Sequence, residues 1–163
     1  MTPAKFGAGT TSGAYGGRTK KRARPIILRQ QRTDPMEPIF GKGGAVTGWL
    51  YPSGGITDAR GNQRAFLVGG NIFDFHGHFL GNLHDDYIRD RDGKAVAFLA
   101  GAKDGPPLPR MGAIPPPPVI RPEPVRPSKP LVPGRLPAYS KQWSELCWDD
   151  FLGGRHLFIA YRR

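Results

Sequence analysis

The chain has 163 residues, a formal charge of +11 at pH 7 and one cysteine, and its 23 Gly and 18 Pro make up a quarter of it. That length is one domain plus extensions, and Gly and Pro at this level without a collagen-like period mark low-complexity segments. A lone cysteine excludes an internal disulfide, and no run approaches the about 20 apolar residues of a membrane-spanning helix.

The first residues, MTPAKFGAGTTSGAYGG, lack the apolar stretch of a secretory signal, so a cytoplasmic protein is expected. Charge is unevenly placed. Residues 1–37 hold eight basic and two acidic side chains, a net +6, whereas residues 39–102 hold six of each. Residues 103–142 carry a net +5, and residues 143–163 balance. The excess therefore sits on the extensions. Within the arm GGRTKKRARPIILRQQR, Arg18, Lys20, Lys21, Arg22, Arg24, Arg29 and Arg32 are candidate contacts for phosphates or for an acidic partner. Such side chains neutralise phosphates without reading bases. The arm's aromatics are Phe6 and Tyr15 alone, which gives little support to stacking on single strands.

After the arm the sequence repeats itself, as IFGKGGAVTGWL, ITDARGNQRAFL, IFDFHGHFLGNL and IRDRDGKAVAFL, from Ile39, Ile56, Ile72 and Ile88. Three units have Asp two residues after the Ile, at Asp58, Asp74 and Asp90, and Gly follows at Gly61, Gly77 and Gly93. Asp-x-x-Gly is a turn signature: the carboxylate accepts local backbone N–H groups and the Gly supplies a positive φ. A type I turn followed by such a Gly connects a hairpin with a bulge. Each unit thus predicts a hairpin of short strands. A small residue (Gly48, Ala65, Gly81, Ala97) and a closing Leu (Leu50, Leu67, Leu83, Leu99) share one face, and Trp49, Phe66 and Phe98 lie on the other. Asn82 takes the aromatic's place in the third unit, so that face is expected to be less covered there. About sixty residues bury only some 60% of their unfolded surface, so the hairpins need extra apolar cover.

Residues 105–137 hold 13 of the 18 prolines. Such a segment predicts extended polyproline II, either a strap over the hairpins or a ligand for an aromatic-lined groove, and the strap is the preferred expectation. Beyond it, SKQWSELCWDDFLGG predicts a short helix capped by Ser140, with Trp143, Leu146, Cys147, Trp148, Phe151 and Leu152 as its docking stretch and Gly153 and Gly154 as its stop. An aromatic stripe at this spacing reads as core. His156 to Tyr161 reads as a terminal strand. The chain divides into a basic arm (1–37), a four-hairpin β module (38–102), a proline-rich segment (103–139), and a helix with a terminal strand (140–163).

The repeated units ITDARGN, IFDFHGH and IRDRDGKAVAFL, the proline-rich stretch and WSELCWDDFL resemble, in that order, the bacterial four-fold β-flower proteins, over residues 38–152. The resemblance implies a small β fold of repeated hairpins, with no activity, cofactor or catalytic residue to carry over. This chain departs in Gly41, where Asp is expected, in its basic arm and in its continuation past Leu152.

The histidines of DFHGHFLGNLHDD invite a metal reading, but His76 and His78 flank the turn glycine where other units place solvent-facing residues. His84 belongs to the opposite end of the hairpin, so no metal site is expected. Asp58, Asp74 and Asp90 repeat one turn position and are structural. Cys147, beside Trp148, Asp149 and Asp150, reads as a buried thiol unsuited to thiolate chemistry. No nucleophile elbow, phosphate loop or dinucleotide fingerprint occurs. The expectation is an all-β, non-enzymatic structural or protein-interaction module, part of a larger assembly and without a cofactor. The alternative is a nucleic-acid-associated protein that binds through its arm.

Overall fold

A computed structural model describes residues 36–154. The arm residues Arg18, Lys20, Lys21, Arg22, Arg24, Arg29 and Arg32 and the terminal strand expected over His156–Tyr161 lie outside the described residues.

Eight antiparallel strands form a closed barrel in chain order. They are β1 (Glu37–Gly41), β2 (Val46–Leu50), β3 (Gly55–Asp58), β4 (Gln63–Val68), β5 (Asn71–Asp74), β6 (Phe79–His84), β7 (Tyr87–Arg89) and β8 (Ala95–Phe98), followed by one short helix, α1 (Trp148–Leu152). Every repeat is one hairpin, and β8 returns to pair with β1, so no sheet edge is left open. Each hairpin slips register once, just after its Ile, at Ile39, Ile56, Ile72 and Ile88. These are the bulges that a turn closed by a left-handed glycine demands. Gly44, Gly61, Gly77 and Gly93 all lie at φ between 81° and 87°. The first turn keeps this geometry without its Asp: Gly41 and Gly44 make the same backbone bonds as Asp58 and Gly61 do.

The barrel interior is filled by the four repeat Ile residues, Ala65, Ala97, Leu80 and Val96, with Trp148, Phe151 and Leu152 of α1 packed among them. The helix is a plug. At Gly48 and Gly81 it closes from the inside a space that the carbonyls of Thr57 (2.2 Å from a Cβ on Gly48) and Arg89 (1.8 Å from one on Gly81) already close from the neighbouring strand. A Cβ on Gly48 would lie 2.8 Å from the Trp148 indole nitrogen, and one on Gly81 would lie 3.1 Å from the Phe151 ring. Units one and three face each other across the ring, so the stacked pair Trp148–Phe151 spans it between two glycines.

The helix is shorter than the sequence predicts. It begins after Cys147, whose sulfur accepts the Asp150 N–H at 3.4 Å, and not after Ser140. Trp143 and Leu146 are therefore not on it. Residues 142–144 are extended, with Ala95 N–H donating to Gln142 O and Ser144 N–H donating to Ala95 O. Pairing with Ala95 at the start of β8 commits the backbone of residues 142 and 144, and the Ser144 hydroxyl is held by the Asp90 carboxylate (2.5 Å), so these residues are not free to form a helical turn. Cys147 is exposed, contrary to the buried thiol expected, because an N-cap residue at a plug's outer end faces solvent.

Outside the barrel, aromatic pairs Phe40–Phe98 and Phe66–Phe73 cross neighbouring strands. Asn82 does not leave its face bare. It is 3% exposed, pairs across the strands with Arg89, and donates from Nδ2 to the Tyr139 hydroxyl at 2.7 Å. The cover that the repeat lacks there comes from a residue far along the chain.

Candidate binding surface at the turn rim

Three turns carry the Asp expected of them, and each carboxylate is occupied. Oδ1 of Asp58, Asp74 and Asp90 accepts two backbone N–H groups from its own turn. The second oxygen takes Asn62 Nδ2, His78 Nδ1 and Ser144 Oγ respectively. Burial alone would raise the Asp58 pKa, but the Asn62 and Arg60 hydrogen bonds and the Arg64 charge bring it below the ordinary carboxylate value. A depressed pKa means that Asp58 stabilises the fold above its unfolded value, and that this contribution is lost as pH falls through the folded value. Asp58→Asn should therefore be less stable than wild type at neutral pH. It should also lose less stability on acidification, as urea titrations at a series of pH values would show; parallel pH profiles would refute the assignment.

The histidines do not converge. His76 and His78 sit at the third turn with ring centroids 6.1 Å apart, and His84 stacks on Tyr139 at 4.1 Å beside Asp85. Asp85 and Asp86 form a two-residue turn at the other end of the barrel, both at positive φ. Among the described residues no three His, Cys, Asp or Glu side chains gather as a metal site would require, and no described helix is long and apolar enough to cross a membrane.

What the repeat frame missed is the order hidden in the proline-rich segment. Residues 103–139 contain no helix or strand, yet they meet the four turns in sequence. A Cβ on Gly44 would lie 2.1 Å from Arg110 O, one on Gly61 2.4 Å from Val119 O, and one on Gly93 2.2 Å from Ala138 O; at Gly77 the neighbour is Pro127 at 3.5 Å. Two residues beyond each of those carbonyls an N–H returns to the same turn. Gly112 N donates to Gly44 O (2.8 Å), Arg121 N to Gly61 O (3.2 Å) and Ser140 N to Gly93 O (3.0 Å). The contacts fall on Pro109-Arg-Met-Gly112, Pro118-Val-Ile-Arg121 and Pro137-Ala-Tyr-Ser140, with Pro127-Ser-Lys-Pro130 opposite the third turn. The signal is a proline every nine or ten residues, one per turn. Thirteen prolines in so short a stretch conceal it.

Both ends of this segment converge on Arg89, a fully buried residue that the sequence analysis did not single out. Its guanidinium donates to Gly93 O (2.8 Å), Ser140 O (2.6 Å) and Asp104 O (3.3 Å) and lies against the Tyr87 and Tyr139 rings. Burial lowers its pKa, an effect offset in part by Tyr139, Tyr87, Asp85 and Asp90. The Tyr87 hydroxyl donates to Pro106 O at 2.6 Å.

Two clefts open between the turns and α1. One, of about 590 Å³, is lined by Asp58, Arg60, Arg64, Cys147, Trp148 and Asp149 among others. The other, of about 780 Å³, lies at the third turn between His76, His78 and Phe79 on one side and Leu131, Val132 and Pro133 on the other, with Arg91 at its edge.

The rim also gathers the exposed apolar surface. Of eleven large apolar side chains exposed among the described residues, ten lie between Leu108 and Tyr139. Val119, Val125 and Leu131 are each more than 80% exposed.

Comparison with family models gives a match over residues 37–152, to the family described as 4-fold beta flower protein. Searches of curated proteins and of solved structures gave no match.

Proposed function

For this chain, which belongs to the 4-fold beta flower family, we propose a non-enzymatic role as an interaction module that takes part in a larger assembly. The proline-rich segment straps the four turns and presents its outer edge to another protein chain. The observation that carries this reading is the concentration of exposed apolar side chains on residues 108–139. A monomeric surface seldom gathers apolar groups on one contiguous element unless that element meets a partner. The body itself is charge-balanced, while residues 103–142 carry a net +5, so the partner surface is apolar with acidic borders. No cofactor is invoked. A cytoplasmic location, read from the sequence, belongs to the same proposal.

Self-association is the simplest form of such an assembly, and sedimentation velocity of the full chain over a concentration series tests it. The mass should rise with concentration. Val119→Asp with Val125→Asp should abolish the rise while leaving the melting temperature unchanged, because both side chains point into solvent (89% and 92% exposed). A monomer at every concentration, with steeply salt-dependent binding to duplex DNA or RNA, would favour nucleic-acid binding through Arg18, Lys20, Lys21, Arg22, Arg24, Arg29 and Arg32 instead.

A further inference from the structure

At the rim, four turns present one repeated acceptor, and the proline-rich segment supplies a donor to three. The donor stands three residues after the turn-facing proline, at Gly112, Arg121 and Ser140. At the third turn that position is Pro130, which has no N–H to give. Among the described residues no N–H reaches the Gly77 carbonyl, and Gly77 is less buried than Gly44, Gly61 and Gly93. The 780 Å³ cleft opens at this turn. A single missing donor accounts for both features.

We propose that the third turn is a docking slot for an extended, acidic peptide of a partner protein, which donates a backbone N–H to the Gly77 carbonyl. The neighbouring turns show the mode of binding, since each already holds an extended segment by one N–H···O=C bond of 2.8 to 3.2 Å. An extended chain satisfies such an acceptor while its alternate side chains enter pockets beside it. The apolar wall is ready: Leu131 is 82% and Val132 55% exposed, facing Phe79 across the cleft. Charge selects the acid. Asp74, the carboxylate that lines the cleft, is taken up by the His76 and His78 backbone N–H groups and the His78 ring. The Arg91 guanidinium has no such partner among the described residues and awaits one.

This slot rests on the reading of residues 103–139 as a contact surface, and it can fail while that reading stands. The test is calorimetric titration of the full chain with acetylated, amidated pentapeptides. The probes are Val-Glu-Val-Glu-Val, its Lys counterpart, and the Glu peptide with its central N–H methylated. The Glu peptide should bind with Kd about 1 mM or tighter, and the other two at least about tenfold more weakly. Arg91→Ala should cost a similar factor. Pro130→Ala, which returns the donor, should let the segment close on the third turn and weaken peptide binding by about tenfold or more, with slow hydrogen exchange at the new amide. Absence of binding, equal affinity for the Lys peptide, or undiminished binding by Pro130→Ala would each overturn the proposal. Concentration-dependent association lost in the Val119 and Val125 variant would still stand on its own.

Discussion

Arg89→Met is expected to lower the unfolding free energy by about 3 kcal/mol or more. Two effects oppose each other. Removing a buried cation relieves its desolvation cost, and a flexible apolar side chain refills part of the space. Against this, the carbonyls of Gly93, Ser140 and Asp104 lose their guanidinium donors together. Gly93 O keeps the Ser140 N–H, so the cost falls on the Ser140 and Asp104 carbonyls, at about 1–3 kcal/mol for each that is shut off from water, and with the lost packing on the Tyr87 and Tyr139 rings it outweighs the relief. Arg89→Lys should recover only part, because one compact ammonium cannot reproduce a planar fork that reaches residues 93, 104 and 140 at once. The damage should also be directional. Arg89 holds both ends of the proline-rich segment, so residues 105–139 should become sensitive to protease before the barrel unfolds. Urea melts combined with limited proteolysis decide the point, and a loss below about 1 kcal/mol with an unchanged cleavage pattern would remove Arg89 from this role.

Phe151→Ala is expected to cost about 3–5 kcal/mol, the cost of truncating a fully buried aromatic in a close-packed core. The facing residue, Gly81, is locked: a Cβ there would lie 1.8 Å from Arg89 O, so enlarging the glycine does not refill the cavity. Trp148→Ala should cost a comparable amount. The double variant should lose less than the two single losses together, because the rings stack at 5.7 Å and the first truncation already removes part of what the second would. A Phe151→Ala protein as stable as wild type would mean that α1 does not plug the barrel.

How much of this was readable in the chain depends on whether the cause was local. The hairpins were, because a turn's Asp, its Gly and the alternation of its strands act within a dozen residues, and the same solution is written four times. Even the alternation Gly48, Ala65, Gly81, Ala97 stands in the sequence, although what crowds the two glycines, the Thr57 and Arg89 carbonyls on one side and the Trp148–Phe151 pair on the other, does not. The helix start misled for a similar reason. Ser140 is a good local cap, but Ser140, Gln142 and Ser144 use their backbone groups on Gly93 and Ala95, partners some fifty residues away, and that pairing pushes the helix to Cys147.

The four hairpins, their turns and the basic character of the extensions are written in the sequence, since those follow from short-range hydrogen bonding, side-chain alternation and composition. Closure of the barrel through β8 and β1, the burial of Arg89 and the passage of the proline-rich segment past one turn after another emerge only when the chain is folded. Each depends on a bond between residues remote in the chain, where one isolated N–H or guanidinium leaves no periodic trace. Pro130 shows the difference most plainly. In the sequence it is one proline among thirteen, and in the fold it is the place where the third turn is denied its donor.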